Sequence, residues 1–220
     1  MATAVRSDLP PHASLGALLR DWRRRRHQSQ LALALQAGVS QRHLSFVESG
    51  RLEAHEAYPA LAIDRHWTLV AANRALSPLL AGAAAFLLEP PVNVLRLSLH
   101  PEGLATRIAN LAQWRAYLLQ RLQRECEITG DPTMTALLAE LNDYAVPKSR
   151  RPSPPQVAHA DSRVFVPLQL ETDVGVLSFI GTTTVFGTPV DVTVAEIALE
   201  CFFPADDVTA EYLHAARASA

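Results

Sequence analysis

The chain lacks the patterns by which catalysis is usually recognised in a sequence. Its two cysteines, Cys126 and Cys201, stand in unrelated contexts and match no metal or redox spacing. A reduced, cytoplasmic protein is the expectation that follows. His12, His27, His43, His55, His66, His100, His159 and His214 are scattered and never fall into a paired ligand spacing. There is no glycine-rich phosphate loop and no nucleophile elbow. The sequence therefore predicts no metal, no cofactor and no enzyme. No apolar run approaches the length that spans a bilayer. Ala83 to Leu88 is apolar but short, bounded by Gly82 and by Pro90-Pro91. The first residues carry no apolar signal core, so no membrane partner is expected.

What is present is a globular composition with a lopsided charge. The chain has 220 residues, 49% of them hydrophobic, enough for one large or two small domains. Net charge is −2, yet residues 1–51 hold eight arginines against Asp8, Asp21 and Glu48, which is +5. The remaining 169 residues therefore carry −7. A basic head on an acidic body suits a phosphate-binding module joined to a part that does not bind nucleic acid.

Residues 1–13, with Pro10-Pro11, read as a disordered lead-in, and 14–57 as a small all-α head. Leu15 to His27 is a predicted helix burying Leu15, Leu18, Leu19 and Trp22. Arg20, Arg23, Arg24, Arg25 and Arg26 gather toward its end. A helix C-terminus favours cations, but five arginines in seven positions exceed what capping needs, and phosphate contact by some is expected. Ser29 to Arg51 then reads as two short helices and a tight turn. Ser29 is an N-cap, Leu31, Ala34 and Leu35 share one face, Gly38 ends the first helix, Val39 fills the corner and Ser40 caps the second. Leu44 and Val47 point inward on the second helix, leaving Gln41, Arg42, His43 and Ser45 outward. Such a row can carry polar groups to base edges in a major groove, while Gln30 at a helix start can grip a phosphate. The alternative is a helical hairpin that only packs.

This stretch resembles the helix-turn-helix of the XRE, phage repressor-like, family, including the Val39-Ser40 corner and the Glu48-Ser49-Gly50-Arg51 ending. The resemblance implies a DNA-binding face made of Gln30, Ser40, Gln41, Arg42, His43, Ser45 and Arg51, with double-stranded DNA as partner. It also implies two further helices after Arg51. Here Leu52-Glu-Ala-His-Glu-Ala57 follows instead, and by Tyr58-Pro59 the character has changed. So small a head is marginal unless something covers its apolar face, and weak DNA affinity is expected.

From Tyr58 the chain becomes mixed, giving an α+β body over 58–206. Ala60 to Ile63 and Trp67 to Ala71 are predicted strands around an Asp64-Arg65-His66 turn. Asn73 caps a short helix to Leu80, and Leu79 to Leu88 is a second helical piece. Arg96 stands in an otherwise apolar, strand-like run. A long helix should run on from Leu104, with Leu104, Ile108, Leu111, Leu118 and Leu122 on one stripe. Asp131-Pro132 opens another helix to about Tyr144. Residues 147–160 form a proline-rich loop. Arg163 to Leu170, Val176 to Val185 and Val190 to Phe202 are predicted strands, completing a five-stranded antiparallel sheet with helices over one face. Residues 207–220 are a final helix and tail.

The hairpin with the following helix looks like the opening of a PAS-type sensor domain. Pro91-Val-Asn-Val-Leu-Arg-Leu-Ser-Leu-His-Pro-Glu-Gly103, Thr182-Thr-Thr-Val-Phe-Gly-Thr-Pro-Val-Asp-Val-Thr193 and Phe202-Phe-Pro-Ala-Asp206 resemble the MmyB-like ligand-binding domain of bacterial regulators. That resemblance covers nearly all of 58–206 and implies a fatty-acid-like ligand in a PAS-like pocket. On the residues themselves, Arg96 in an apolar run needs a partner, either Glu200, Asp191 or a ligand carboxylate. His100 either orients a polar ligand or closes a loop, and Arg107 is a solvated helix charge. An apolar ligand would lie between Phe165, Phe179, Thr183 and Val185 of the sheet and Leu111, Trp114 and Leu118 of the helices, unless these simply fill their own core. Arg96, His100, Trp114, Phe179 and Thr183 are thus the ligand-binding candidates. The sequence predicts a homodimeric, ligand-tuned transcription regulator, or alternatively a ligand- or partner-binding module whose incomplete head no longer binds DNA.

Overall fold

The computed structural model describes residues 20, 21, 23–25, 27–36, 41, 45, 48, 58–147, 166–185 and 197–218. The fold is α+β: N-terminal helical segments precede a five-stranded antiparallel sheet with helices against it. The predicted lead-in, the Pro-rich loop after Pro147, and Gly38, Val39, Ser40, Arg42, His43 and Arg51 lie outside the described residues.

In the head, residues 20, 21 and 23–25 are helical and α1 spans Gln30–Gln36. Ser29 caps α1 as its sequence position predicts, with its Oγ accepting from Ala32 N at 3.0 Å. The buried face differs from the expected one. Leu33 and Ala34 are buried, whereas Leu31 and Leu35 are 51% and 72% exposed.

The sheet runs β2-β1-β5-β4-β3, each neighbour antiparallel. Its strands are β1 (Ala60–Asp64), β2 (Leu69–Ala72), β3 (Leu168–Thr172), β4 (Gly175–Val185) and β5 (Ile197–Pro204). β1 and β2 form the predicted hairpin, but its turn is longer than expected. Asp64 Oδ1 accepts from both His66 N and Thr68 N at 2.8 Å, and Trp67 sits at φ 62 within the turn. Trp67 therefore leaves the strand, and β2 starts only at Leu69. Asn73 precedes a 3-10 segment, Arg74–Leu80, without capping it through its side chain. Its amide instead closes the start of β1, accepting from Ala60 N and donating to Tyr58 O. The second helical piece shortens to a 3-10 turn, Ala85–Leu87, after Gly82 at φ 85.

Val94 to Leu99 is a helix, α2, not a strand. The alternation of Leu95, Leu97 and Leu99 reads as period two, yet all three are buried because the short helix is covered on more than one side. Asn93 decides the outcome: its Oδ1 accepts from Leu95 N and Arg96 N, satisfying two of the first-turn donors. The chain then turns at Gly103, whose Leu104 neighbour donates back to Leu97 O. A Cβ on Gly103 would stand 2.3 Å from Leu97 O, so only glycine fits.

The long helix α3 starts at Leu111, seven residues later than its stripe suggests, and ends at Thr129 with Gly130 in the left-handed region. Leu104 and Ile108 belong to the loop before it. Ile108 bridges Leu170 of β3, Ala109 N donates to Gln169 O, and the Asn110 side chain holds Pro167 O and Gln169 N. Arg107 is no solvated helix charge, since its guanidinium ties together the carbonyls of Leu79, Ala81 and Glu171. α4 (Pro132–Asp143) opens on Asp131 as predicted, with Asp131 Oδ1 accepting from Thr133 N. α5 (Asp207–Ala218) is hooked to β4 by buried Thr209, whose Oγ accepts from Ser178 N.

The core lies between the sheet and these helices. Leu61, Ile63, Leu170, Leu177, Phe179 and Phe202 meet Trp114, Leu118, Leu122, Leu137 and Leu141 in one apolar cluster.

Candidate functional site

Two polar assemblies stand out against this apolar frame, one in the head and one in the body. The first is built on Glu48, whose side chain is 1% exposed. Arg23 approaches it with Nε at 2.5 Å and Nη2 at 2.8 Å, and Gln30 donates from Nε2 at 2.9 Å. Arg20 donates to the Glu48 carbonyl. Burial pushes the Glu48 carboxyl up, but the bonds from Arg23 and Gln30 outweigh it and hold its pKa below the ordinary value. Glu48 thereby joins the N-terminal helical residues to α1 across 25 and 18 positions of sequence. Gln30, predicted to reach a phosphate, spends its amide nitrogen on this carboxylate. Gln41 is exposed and Ser45 half-buried, both in helical residues. The other predicted DNA contacts, Ser40, Arg42, His43 and Arg51, lie outside the described residues.

The second assembly sits on the helix-covered face of the sheet. Leu177 and Phe179 of β4 point into the core, so by strand alternation Gly181 and Thr183 face the same way. Gly181 and Thr183 are nonetheless exposed, so helix cover thins beyond Phe179. Opposite them on β5 stand Phe202 and Glu200. Arg121 of α3 reaches across to this place. Its Nη1 donates to Glu200 Oε1 at 2.7 Å and to Thr183 Oγ at 3.3 Å, and its Nε to Glu125 Oε1 at 3.3 Å. Its guanidinium carbon lies 4.3 Å from the centre of the Trp67 ring. The Trp67 indole donates to the other Glu125 oxygen at 2.8 Å, and the Thr183 hydroxyl donates to Glu200 Oε1 at 3.3 Å. Burial works against the charge on Arg121, and Glu200 and Glu125 more than restore it, raising its pKa.

Of the predicted ligand residues, Trp114 and Phe179 share the apolar cluster and Thr183 borders the polar one. Phe179 is fully buried, and the Trp114 indole donates to Ser98 Oγ at 3.0 Å. Phe165 and the side chain of Val185 lie outside what is described. Arg96 and His100 are elsewhere. Arg96 makes a two-pronged pair with Glu140 of α4, not with Glu200. Glu140 also accepts from the Tyr144 hydroxyl at 2.5 Å. Burial, then that bond to Glu140, push the Tyr144 pKa up to about 12. His100 lies edge-on between Phe86 and Tyr144, and its Nδ1 accepts from Glu102 N at 3.1 Å. That geometry closes the loop after α2, which was one of its two readings.

Sequence reasoning missed Arg121, Glu125 and Trp67 altogether. A usable signal existed: Arg121 and Glu125 are four apart in a helix, the spacing of a side-chain pair. From the sequence, Glu200 offers itself as a partner for Arg96. It is the one charged residue between Ile197 and Phe203, and a charge in so apolar a strand requires a cation.

Among the described residues no group of three or more His, Cys, Asp or Glu is placed to hold a metal ion, and no helix is long and apolar enough to cross a membrane. An antiparallel sheet closed by helices, with a few convergent polar groups at one margin of its apolar interior, has the general character of a small-ligand module. The comparison with known families makes the class specific. Residues 50–216 match the MmyB-like transcription regulator ligand binding domain, and the chain belongs to that family. No curated protein matches the chain.

Proposed function

We propose that this chain is a cytoplasmic transcription regulator that binds double-stranded DNA through its head and senses a small apolar, fatty-acid-like ligand through its body. The observation that carries the reading is membership of a regulator ligand-binding family over residues 50–216. The +5 charge of residues 1–51 supports it, as does the exposure of Gln41 on a helical residue. In a homodimer, a ligand in the body would bias the relative placement of two heads, because half-site spacing selects the geometry that binds.

A second reading is favoured by two particulars of the head. Gln30 and Arg23 are engaged by Glu48, and Leu31 and Leu35 are exposed on α1. These suit a head that meets protein, leaving a ligand- or partner-binding module without DNA affinity.

Fluorescence anisotropy with a library of palindromic duplexes over a salt series separates the two. A DNA-binding head gives affinity that falls steeply with salt, and Arg42→Ala flattens the slope by about one phosphate contact. Absence of salt-dependent binding in both proteins favours the second reading.

A further inference from the structure

We propose that Tyr58 and Pro59 form a rigid joint between head and body, and that the ring contact of Tyr58 with Phe203 carries displacement of β5 to the head when a ligand enters the body. The proposal rests on the reading of the body as a ligand sensor and adds the route by which that sensor acts on the head.

Stiffness at this place begins with the sequence. Proline holds its own φ near one value and confines the residue before it to extended backbone, so Tyr58-Pro59 has little rotational freedom. Packing removes what is left. Pro59 is fully buried, its carbonyl accepts from Phe202 N at 2.9 Å, and Ala60 pairs with Cys201 of β5. The Asn73 side chain accepts from Ala60 N at 3.0 Å and donates to the Tyr58 carbonyl at 2.7 Å. The Tyr58 ring lies 5.4 Å from the Phe203 ring, tilted by 56°, and also packs against the core cluster. A hinge is built from positions that absorb large changes of φ and ψ. This joint is the opposite.

β5 is placed to drive it. It is the central strand, bonded to β1 on one side and to β4 on the other. Its Phe202 belongs to the core cluster and its Glu200 takes Arg121 of α3. By strand alternation Phe203 faces the other way, where it meets Tyr58. Packed interiors pass strain on instead of absorbing it, so an apolar molecule lodged between sheet and helices presses on β5 through Phe202. The same strand holds the joint at two points, the Pro59 carbonyl and the Tyr58 ring. Only residues 49–57 separate Tyr58 from Glu48, so the displacement is delivered, in sequence, close to the carboxylate that gathers Arg23 and Gln30.

The test is titration calorimetry together with hydrogen exchange of the whole chain, with decanoate below its micelle concentration as the probe. In the wild-type protein decanoate should slow exchange in body peptides and change it by about threefold or more in peptides 20–48. Tyr58→Ala and Phe203→Ala should bind decanoate within about threefold of wild type and keep the body response, while losing about two thirds or more of the head response. Either variant serves if the other does not fold. Tyr58→Phe keeps the ring and should keep the head response, which separates coupling from a general loosening of the sheet. A head response that survives both alanine variants, or that Tyr58→Phe loses as fully as Tyr58→Ala, overturns the proposal. Loss of decanoate binding in step with the head response overturns it too, because the rings would then serve only the body's packing. Decanoate binding without any head response in the wild-type protein overturns the joint's role while leaving ligand sensing in place. Failure of decanoate to bind the wild-type protein overturns the sensor reading and the proposal with it.

Discussion

The head and the body are held together by opposite means. In the head, one buried glutamate gathers Arg23 and Gln30 on its carboxylate and Arg20 on its main-chain carbonyl, and among the head's described residues only Leu33, Ala34 and Glu48 are buried. In the body, 27 buried apolar side chains form one continuous cluster and the charged groups sit at its margin. A buried ion pair gives little net stability but is costly to break, because the surviving partner is stranded. An apolar core distributes its stabilisation over many contacts, so each loss is local. The head should thus respond sharply to charge and pH, and the body's core to volume.

Phe179→Ala is the heaviest blow to the body. The ring is fully buried, and truncation should cost about 4 kcal/mol through lost transfer energy and an unfilled cavity. Urea unfolding followed by tryptophan fluorescence reads it. Hydrogen exchange in peptides from residues 20–48 should be no faster than the global loss requires. Glu48→Ala is the corresponding blow to the head. It strands Arg23, whose side chain is 13% exposed, and removes the acceptor for Gln30. Roughly 3 kcal/mol should be lost from the head, seen as fast exchange in peptides 20–48 while peptides 58–147 keep wild-type protection. Equal loss of protection in both regions would show that they unfold as one unit.

Gly103→Ala probes the body from a different side, through backbone instead of volume. The new methyl meets a main-chain oxygen that cannot rotate away, so the turn after α2 must shift, at about 2 kcal/mol. A measured effect below a few tenths would mean that the turn has room the structure does not display.

Acid probes the head without mutation. Because the folded-state pKa of Glu48 is lowered from its ordinary value of 4.5, its stabilisation is present above that pH. The contribution is lost as pH falls through the lower folded value. Protection of peptides 20–48 should decline on acidification below about pH 4.5, and in the body a like decline is expected around Asp131 and Glu140, whose carboxyls are also held below their ordinary values. Glu48→Gln should remove most of the head's pH dependence. A head whose exchange is unchanged in acid would mean that the Glu48 cluster does not hold it.

The difference between the regions also explains what could be read without coordinates. Period-two and period-3.6 patterns made the sheet legible, and a cap followed by proline at Asp131-Pro132 fixed the start of α4. They failed where burial comes from more than one side. Leu95, Leu97 and Leu99 alternate like a strand and are helical because Asn93 satisfies the first turn. Leu104 and Ile108 continue the stripe of α3 but lie outside it, because Ile108 bridges β3. On α1 the neighbours of the predicted leucines are the buried ones, a rotation that a seven-residue helix is too short to average out. The polar assemblies were harder. Arg23, Gln30 and Glu48 converge from three segments, and Arg121 and Glu200 from a helix and a strand 79 positions apart. No local pattern encodes such a meeting; only an unexplained charge in an apolar stretch hints at it.

The smallest effect tests whether exposure, and not the presence of an arginine, governs these pairs. Arg96 and Arg121 each make close contacts with a carboxylate at 2.7 Å. Arg96 and Glu140 are 44% and 37% exposed, against 24% and 13% for Arg121 and Glu200. Water solvates Glu140 when its partner is removed, and the Tyr144 hydroxyl continues to donate to it. Arg96→Ala should therefore cost only about 0.5 kcal/mol, the ordinary value of an exposed pair. Removal of Arg121 leaves Glu200 largely enclosed and the Trp67 ring uncovered, and the loss should be several times larger. Urea midpoints at constant m-value compare the two variants directly. Equal losses would mean that the cluster on the sheet face is as open to water as the surface pair.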